Sequence, residues 1–283
     1  MALSQEWSPT LADALSHRID WSAHHSSHCV DTGWRVLPHW VVLHVVHGAY
    51  HCTLLEEGRQ RSVSAAPGEV LLVPAGARHA LTFDTGTTAD GLHIHFSLHH
   101  AMDVFSCYAV PSVIAGEASG VAQATEVLTA TLARRDGTTL RGLAARQAAA
   151  YRFLDRVLAV SPELPERQRR LTALERLEGA LALIDERLDQ TPRVEELAER
   201  CALSRNRFGE LFKATLGQTP KQYLDQQRLR RAMSLLVHSD RSIAEIADGL
   251  GFCDPFHFSK RFKALTGESP SDYRRQIRRT LLR

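Results

Sequence analysis

The pattern F-K-A-x-x-G-x-x-P-x-x-Y occurs twice in this chain, 50 residues apart, and this duplication constrains the fold more than any other feature. Phe212-Lys213-Ala214 leads through Gly217 and Pro220 to Tyr223, and Phe262-Lys263-Ala264 leads through Gly267 and Pro270 to Tyr273. Phe208 matches Phe258 and Ser204 matches Asp254 at the same offset. Leu197-Ala198 matches Ile246-Ala247 at an offset of 49, so the second copy carries one extra residue in its turn. A repeat of this length marks a duplicated supersecondary unit.

Each copy has the layout of helix, turn, helix. Val194, Leu197, Ala198 and Cys201 give a short helix an apolar face, and the small Ala198 lets another helix approach closely. Ser204 is a natural N-cap for the next helix, Phe208, Leu211 and Phe212 anchor it, and Gly217 ends it with Pro220 shortly after. In the second copy Ile243, Ile246, Ala247 and Leu250 form the first helix and Gly251-Phe252-Cys253 the turn. Asp254 is then the cap, Pro255 sits at the favoured first helical position, and Phe258 and Phe262 anchor until Gly267. Between the copies, Lys221 to Val237 reads as a helix roughly 25 Å long at ~1.5 Å per residue. That length suits two reading helices about one DNA turn apart, ~34 Å.

Charge supports a polyanionic partner for this half. The balance of 34 basic against 32 acidic residues conceals an uneven split. Residues 1–166 carry 11 Arg, no Lys and 16 acids, hence −5, whereas residues 167–283 carry 23 Lys and Arg against 16 acids, hence +7. Five cysteines (Cys29, Cys52, Cys107, Cys201, Cys253) are scattered without a C-x-x-C pair, which argues for a reducing compartment and against a zinc finger. The segment Met1 to Trp21 lacks the apolar core of a signal peptide, and the longest apolar stretch, Trp40 to Val46, is too short to cross a bilayer. A cytoplasmic protein with no membrane partner is expected. No Ser/His/Asp set, phosphate loop or carboxylate pair stands out, so no catalytic residues are assigned and an enzyme is not expected.

The first half reads differently. Residues from about 34 to 100 contain short β-branched or alternating runs: Val41 to Val46, Val70 to Val73, and Leu92 to Phe96. Gly48, Gly58, Pro67-Gly68, Gly76 and Gly86 punctuate them at the spacing of an all-β barrel or sandwich. Ala122 to Arg135 and Leu140 to Val160 are helical in pattern, with Leu143, Gln147, Ala150, Leu154, Val157 and Leu158 as one stripe. Ser161-Pro162-Glu163-Leu164-Pro165 breaks that helix and opens a polar stretch to Arg170. The resulting division is a β-rich domain with two following helices over 1–160, a linker over 161–172, and a helical domain carrying the repeat over 173–283.

Residues from about 174 to 279 resemble the DNA-binding domain of the AraC/XylS family. The resemblance rests on Ser242 to Phe252, then Phe258-Ser259-Lys260-Arg261-Phe262-Lys263, then Gly267 to Arg274. It implies a transcription regulator that binds double-stranded DNA through the faces opposite the phenylalanine anchors, and contacts RNA polymerase if it is an activator. On the first helix that face carries Arg205, Asn206, Gly209 and Glu210, and on the second Pro255, Phe256, Ser259 and Lys260. Arg205 or Lys260 suits guanine, Asn206 adenine, Glu210 a cytosine amine and Phe256 a thymine methyl. Lys213, Arg261 and Lys263 are phosphate candidates, and Arg207 completes the DNA-binding set. Gly209 offers no side chain for reading.

Gly68-x5-Pro74-x-Gly76-x2-His79 matches the second cupin motif, so residues ~25–105 resemble the cupin-like effector domain found ahead of many members of this family. The expected fold is therefore α+β: an N-terminal cupin-like β-barrel followed by helices, then an all-α C-terminal domain with two helix-turn-helix units. Thirteen of the fifteen histidines lie within residues 1–100. A cupin metal site needs three histidines and a carboxylate converging on one ion, and His44, His79, His93 and His95 are its candidates. Against it, the first cupin motif with its H-x-H and Glu is absent, and Val41 stands where the Glu belongs. No cofactor is therefore assigned, with a divalent metal as the alternative. The leading expectation is a small-molecule effector in a pocket including Trp34, Arg35, Trp40, His44, His79 and His95, where Arg35 suits an acidic ligand. The alternative is a metal-dependent cupin enzyme or metal sensor fused to a DNA-binding domain. The helices over 120–160 are the candidate homodimer interface, as in relatives that pair through helices following the barrel.

Overall fold

The computed structural model describes residues 14–27, 31–56, 58–115, 119–135, 137, 139–190, 192–266 and 268–281. His28, Cys29 and Gly267 lie outside these described residues, as does most of the segment before Trp21. The chain forms two compact units that divide between Pro165 and Glu166.

The first unit is built on strands β1 (Leu15–Ser26), β2 (Arg35–Val36), β3 (Trp40–His47), β4 (Tyr50–Glu56), β5 (Arg59–Ala65), β6 (Val70–Val73), β7 (Arg78–Phe83), β8 (Thr88–Leu98), β9 (Met102–Asp103) and β10 (Val113–Ile114). Among the described residues they pair into two sheets and not into one closed barrel. One sheet runs β1-β8-β3-β6-β10, with β9 beside β8, and the other runs β2-β7-β4-β5. Helices α1 (Val121–Ala133) and α2 (Leu140–Ala159) follow.

Strand parity explains the layering. Side chains alternate between the faces of a strand. Val41, Leu43 and Val45 of β3 and Ala89 of β8 pack with Tyr50, Cys52, Leu54 and Leu81 of the smaller sheet. Trp40 and Val42 of β3 and Leu92, Ile94 and Phe96 of β8 pack instead on α1 and α2. The larger sheet is therefore covered on both sides, which is why β3 reads as a nearly unbroken apolar run.

Two expectations change here. β1, twelve residues of mixed His, Ser and Arg, precedes the expected start of the β region and pairs along β8 from Leu15↔Leu98 to Ser26↔Ala89. Its own apolar pattern is weak, so its place comes from the partner strand. The buried stripe of α2 runs through Gly142, Ala149, Ala150, Phe153, Leu154 and Val157, whereas Leu143 and Gln147 of the expected stripe are exposed.

The second unit is helical: α3 (Arg167–Glu186), α4 (Val194–Arg200), α5 (Arg205–Leu216), α6 (Pro220–His238), α7 (Ile243–Gly249), α8 (Pro255–Thr266) and α9 (Pro270–Leu281). Residues 167–172 of the expected linker already belong to α3. Arg228 of α6, 4% exposed, donates through Nε to the Leu188 carbonyl at 2.7 Å, and so ties the end of α3 to α6.

Candidate nucleic-acid interface

Helices α5 and α8 begin on side-chain caps, which orient them. Ser204 Oγ accepts the Arg207 amide, and Asp254 Oδ1 accepts the His257 amide at 2.7 Å. Hydrogen bonds from the His257 amide and the Cys253 thiol hold the Asp254 carboxyl below its ordinary range. Each helix follows a tight turn whose left-handed residue differs between copies. Ala202 takes φ +52° in the first turn, and Gly251 takes φ +69° in the longer second turn.

Phe208 and Phe212 of α5, and Phe258 and Phe262 of α8, are fully buried. At ~100° per residue, Asn206, Glu210 and Lys213 lie within about 40° of the direction opposite Phe208, as do Phe256, Lys260 and Lys263 opposite Phe258. All six are exposed, and Phe256 is the extreme case at 81%.

The flanking candidates divide. Arg205 pairs with Glu195 of α4 at 2.9 Å, and Arg207 pairs with Glu210 at 3.4 Å. Arg261 reaches back to Asp225 of α6, so its guanidinium braces the unit. Pro255 has no N–H to lose at the helix start, and Ser259 returns its hydroxyl to the Pro255 carbonyl. A Cβ added at Gly209 meets nothing within 4 Å, so its face is open. His257, exposed and equivalent to Arg207 at the repeat offset, was missed by residue-by-residue reasoning although the repeat itself marks it.

The expected effector and metal residues fall on both sheets, and those on the larger sheet divide between its two faces. Arg35 and His79 come together, Arg35 Nε donating to His79 Nε2 at 3.2 Å. Trp34 is half-exposed and lies over Arg78, which alternates with His79 along β7, the Arg78 guanidinium standing 5.7 Å from its ring centre. His93 stacks on His39 at 4.4 Å, and His39 Nδ1 lies 3.3 Å from Asp20. Burial, with Arg35 and His39 nearby, brings the His79 imidazole down to about 4 despite its bond to the Ala77 carbonyl. His95 shares the parity of His93 and is buried. Trp40 and His44 face the other way: Trp40 Nε1 donates to Asp103 at 2.7 Å, and His44 Nδ1 lies 2.9 Å from Asp90. The metal set His44, His79, His93 and His95 therefore does not share a face.

A family model described as a helix-turn-helix domain matches residues 197–276. The transcriptional regulator AlkR of Acinetobacter baylyi is 41% identical over 108 residues, 38% of this chain and 35% of AlkR. The MmsAB operon regulatory protein of Pseudomonas aeruginosa is 36% identical over 102 residues, 36% of this chain and 33% of that protein. The chain thus spans about a third of the length of these curated relatives. A crystal structure of apo ToxT from Vibrio cholerae covers 92% of this chain and 97% of its own, with TM-score 0.58 at 12% identity, which is a likeness of fold. Another ToxT structure, with TM-score 0.56, is described as bound to an unsaturated fatty acid. With its duplicated capped helices, the segment over residues 197–276 matches a helix-turn-helix domain and is similar to the corresponding part of these curated transcription regulators.

Proposed function

We propose that the chain is a sequence-specific, effector-responsive regulator of transcription that binds double-stranded DNA through both α5 and α8. The observation that carries this reading is the repeated exposed face: Asn206, Glu210 and Lys213 on one helix, and Phe256, Lys260 and Lys263 on the other. α6, ~28 Å long at 1.5 Å per residue, is a suitable spacer for helices entering successive major grooves. Lys260, at the centre of its face, reads a base edge, and Phe256 packs on a thymine methyl. Lys213 and Lys263 hold phosphates.

The effector reading favours the face that carries Arg35 and His79, a cation and a buried imidazole joined at 3.2 Å. That chemistry suits a small acidic ligand with an apolar body. The ToxT structure described with a bound fatty acid supports a ligand of this class for the fold. The cupin-like reading of the β region stays with this proposal, as an open two-sheet form of that domain. Pairing into a homodimer is assigned to α1 and α2, where Val127, Leu140 and Leu143 leave apolar surface exposed.

The test is selection of bound fragments from genomic DNA with the full chain, followed by affinities for the selected site and for random duplex. Lys260→Ala is expected to lose ~1–3 kcal/mol on the selected site and relax preference at one base pair, whereas Lys263→Ala weakens both duplexes alike and lowers the salt slope by about one. Equal losses on both duplexes for Lys260→Ala refute its reading role.

A further inference from the structure

On the helix-facing side of the larger sheet, three histidines surround one buried carboxylate. The Asp90 side chain on β8 has no exposed surface. His24 Nδ1 lies 2.8 Å from its Oδ1, and His44 Nδ1 lies 2.9 Å from its Oδ2. The His25 amide donates to Oδ1 at 2.9 Å. His25 Nε2 lies 3.8 Å from Oδ2 and 3.6 Å from Glu126 Oε1 on α1. Ligand atoms of His24, His25 and Asp90 all lie within 4.8 Å of one another.

The backbone is bent to make this happen. Consecutive residues of a regular strand point to opposite faces. Here the β1–β8 register slips between Ala23 and Ser26, and His25 takes φ +44°. Strain of this kind in a non-glycine residue clusters at binding sites. The bend stacks the His24 and His25 rings at 4.2 Å and brings both to the same carboxylate.

We propose that His24, His25 and Asp90 form a divalent-cation site of zinc-type chemistry, with Glu126 as the fourth side. In a tetrahedral site with bonds of ~2.0–2.2 Å the ligand atoms stand ~3.3 Å apart, and the separations here bracket that spacing. Imidazole nitrogens select borderline metals such as Zn2+ over Mg2+ or Ca2+, and the two carboxylates offset a double positive charge. His44 and Thr129 act from behind: His44 holds the second Asp90 oxygen, and Thr129 Oγ1 donates to Oδ1 at 3.2 Å. His25 and Glu126 are about half-exposed, which gives the ion a path in. The site lies on the face of the larger sheet opposite His93, away from the smaller sheet that carries His79, so it is separate from the effector face. A bound ion ties the end of β1 to α1.

The full chain, stripped with a chelator, is titrated with Zn2+ against a chromophoric competitor, and the visible bands of Co2+ report coordination. One tight equivalent is expected, weakened at least ~100-fold in the His24→Gln/His25→Gln variant and ~10–100-fold in His44→Gln. His51→Gln, whose imidazole bonds Ser64 and Asp84 on the smaller sheet, keeps full affinity. Glu126→Gln, at a half-exposed position, weakens binding and leaves the far-ultraviolet circular dichroism unchanged, which separates ligand loss from misfolding. Absence of a tight equivalent in the parent chain, or full affinity in His24→Gln/His25→Gln, overturns the proposal.

Discussion

Exchanging the left-handed residues of the two turns tests how the second unit is held together. At Gly251, φ is +69°, and an added Cβ would stand 2.2 Å from the Asp189 carbonyl oxygen and 2.9 Å from Arg228 Nη2. Arg228 is itself bound to Leu188, so neither neighbour withdraws freely. In Gly251→Ala the left-handed backbone costs ~1–2 kcal/mol. Stiffening of the unfolded chain offsets ~0.4–1 kcal/mol of that. Pushing a methyl into the Asp189 backbone adds ~1–3 kcal/mol, as overpacking does elsewhere. The net expectation is a loss of ~2–4 kcal/mol. Ala202 holds φ +52° in the shorter first turn and already bears its Cβ. Ala202→Gly exchanges a strain of ~1–2 kcal/mol for an entropy cost of ~0.5–1 kcal/mol, so it is neutral or stabilising. Urea unfolding of the full chain, followed by far-ultraviolet circular dichroism, reads mainly the helical unit. A Gly251→Ala change within ~0.5 kcal/mol of the parent, the range of an ordinary surface substitution, refutes the close-approach argument.

Two further outcomes can be measured directly. Asp254→Ala removes the cap of α8 and should cost ~1 kcal/mol of stability, with weaker binding to the selected DNA site; unchanged stability and affinity would show that the cap is dispensable. For pH, the folded His79 imidazole titrates at about 4, whereas the unfolded chain takes a proton near 6.5. Between those values the unfolded state binds more protons, so the stability of the first unit is whole above 6.5 and falls as pH drops toward 4. Burial lowers His39 and His93 as well, which adds in the same direction. Urea midpoints at pH ~7 and ~5 should differ, and His79→Gln should flatten the difference; equal midpoints in the parent chain contradict the assignment.

The DNA-reading faces were legible because a helix fixes direction from sequence spacing: once Phe208 and Phe258 are placed inward, Asn206 and Lys260 must point out. Even there, the ion pair that draws Arg261 back to Asp225 was hidden, because its partner is 36 residues away on α6. In the first unit the sequence located β3, β6 and the core of β8, whose side chains are apolar enough to declare themselves. It did not locate β1, whose pairing depends on β8.

What the sequence by itself determined is the duplicated capped helix pair, its offset, and the sign of charge around it, since caps, anchors and turns are local chemistry. Which histidines meet was decided by tertiary structure alone. Strand parity sends His44 to one face of the larger sheet and His93 to the other, while His79 stands on the smaller sheet. A slipped register and one left-handed residue bring His24 and His25 to Asp90, 66 and 65 positions further along the chain. Such meetings follow from how strands pair, and no spacing within a single segment encodes them.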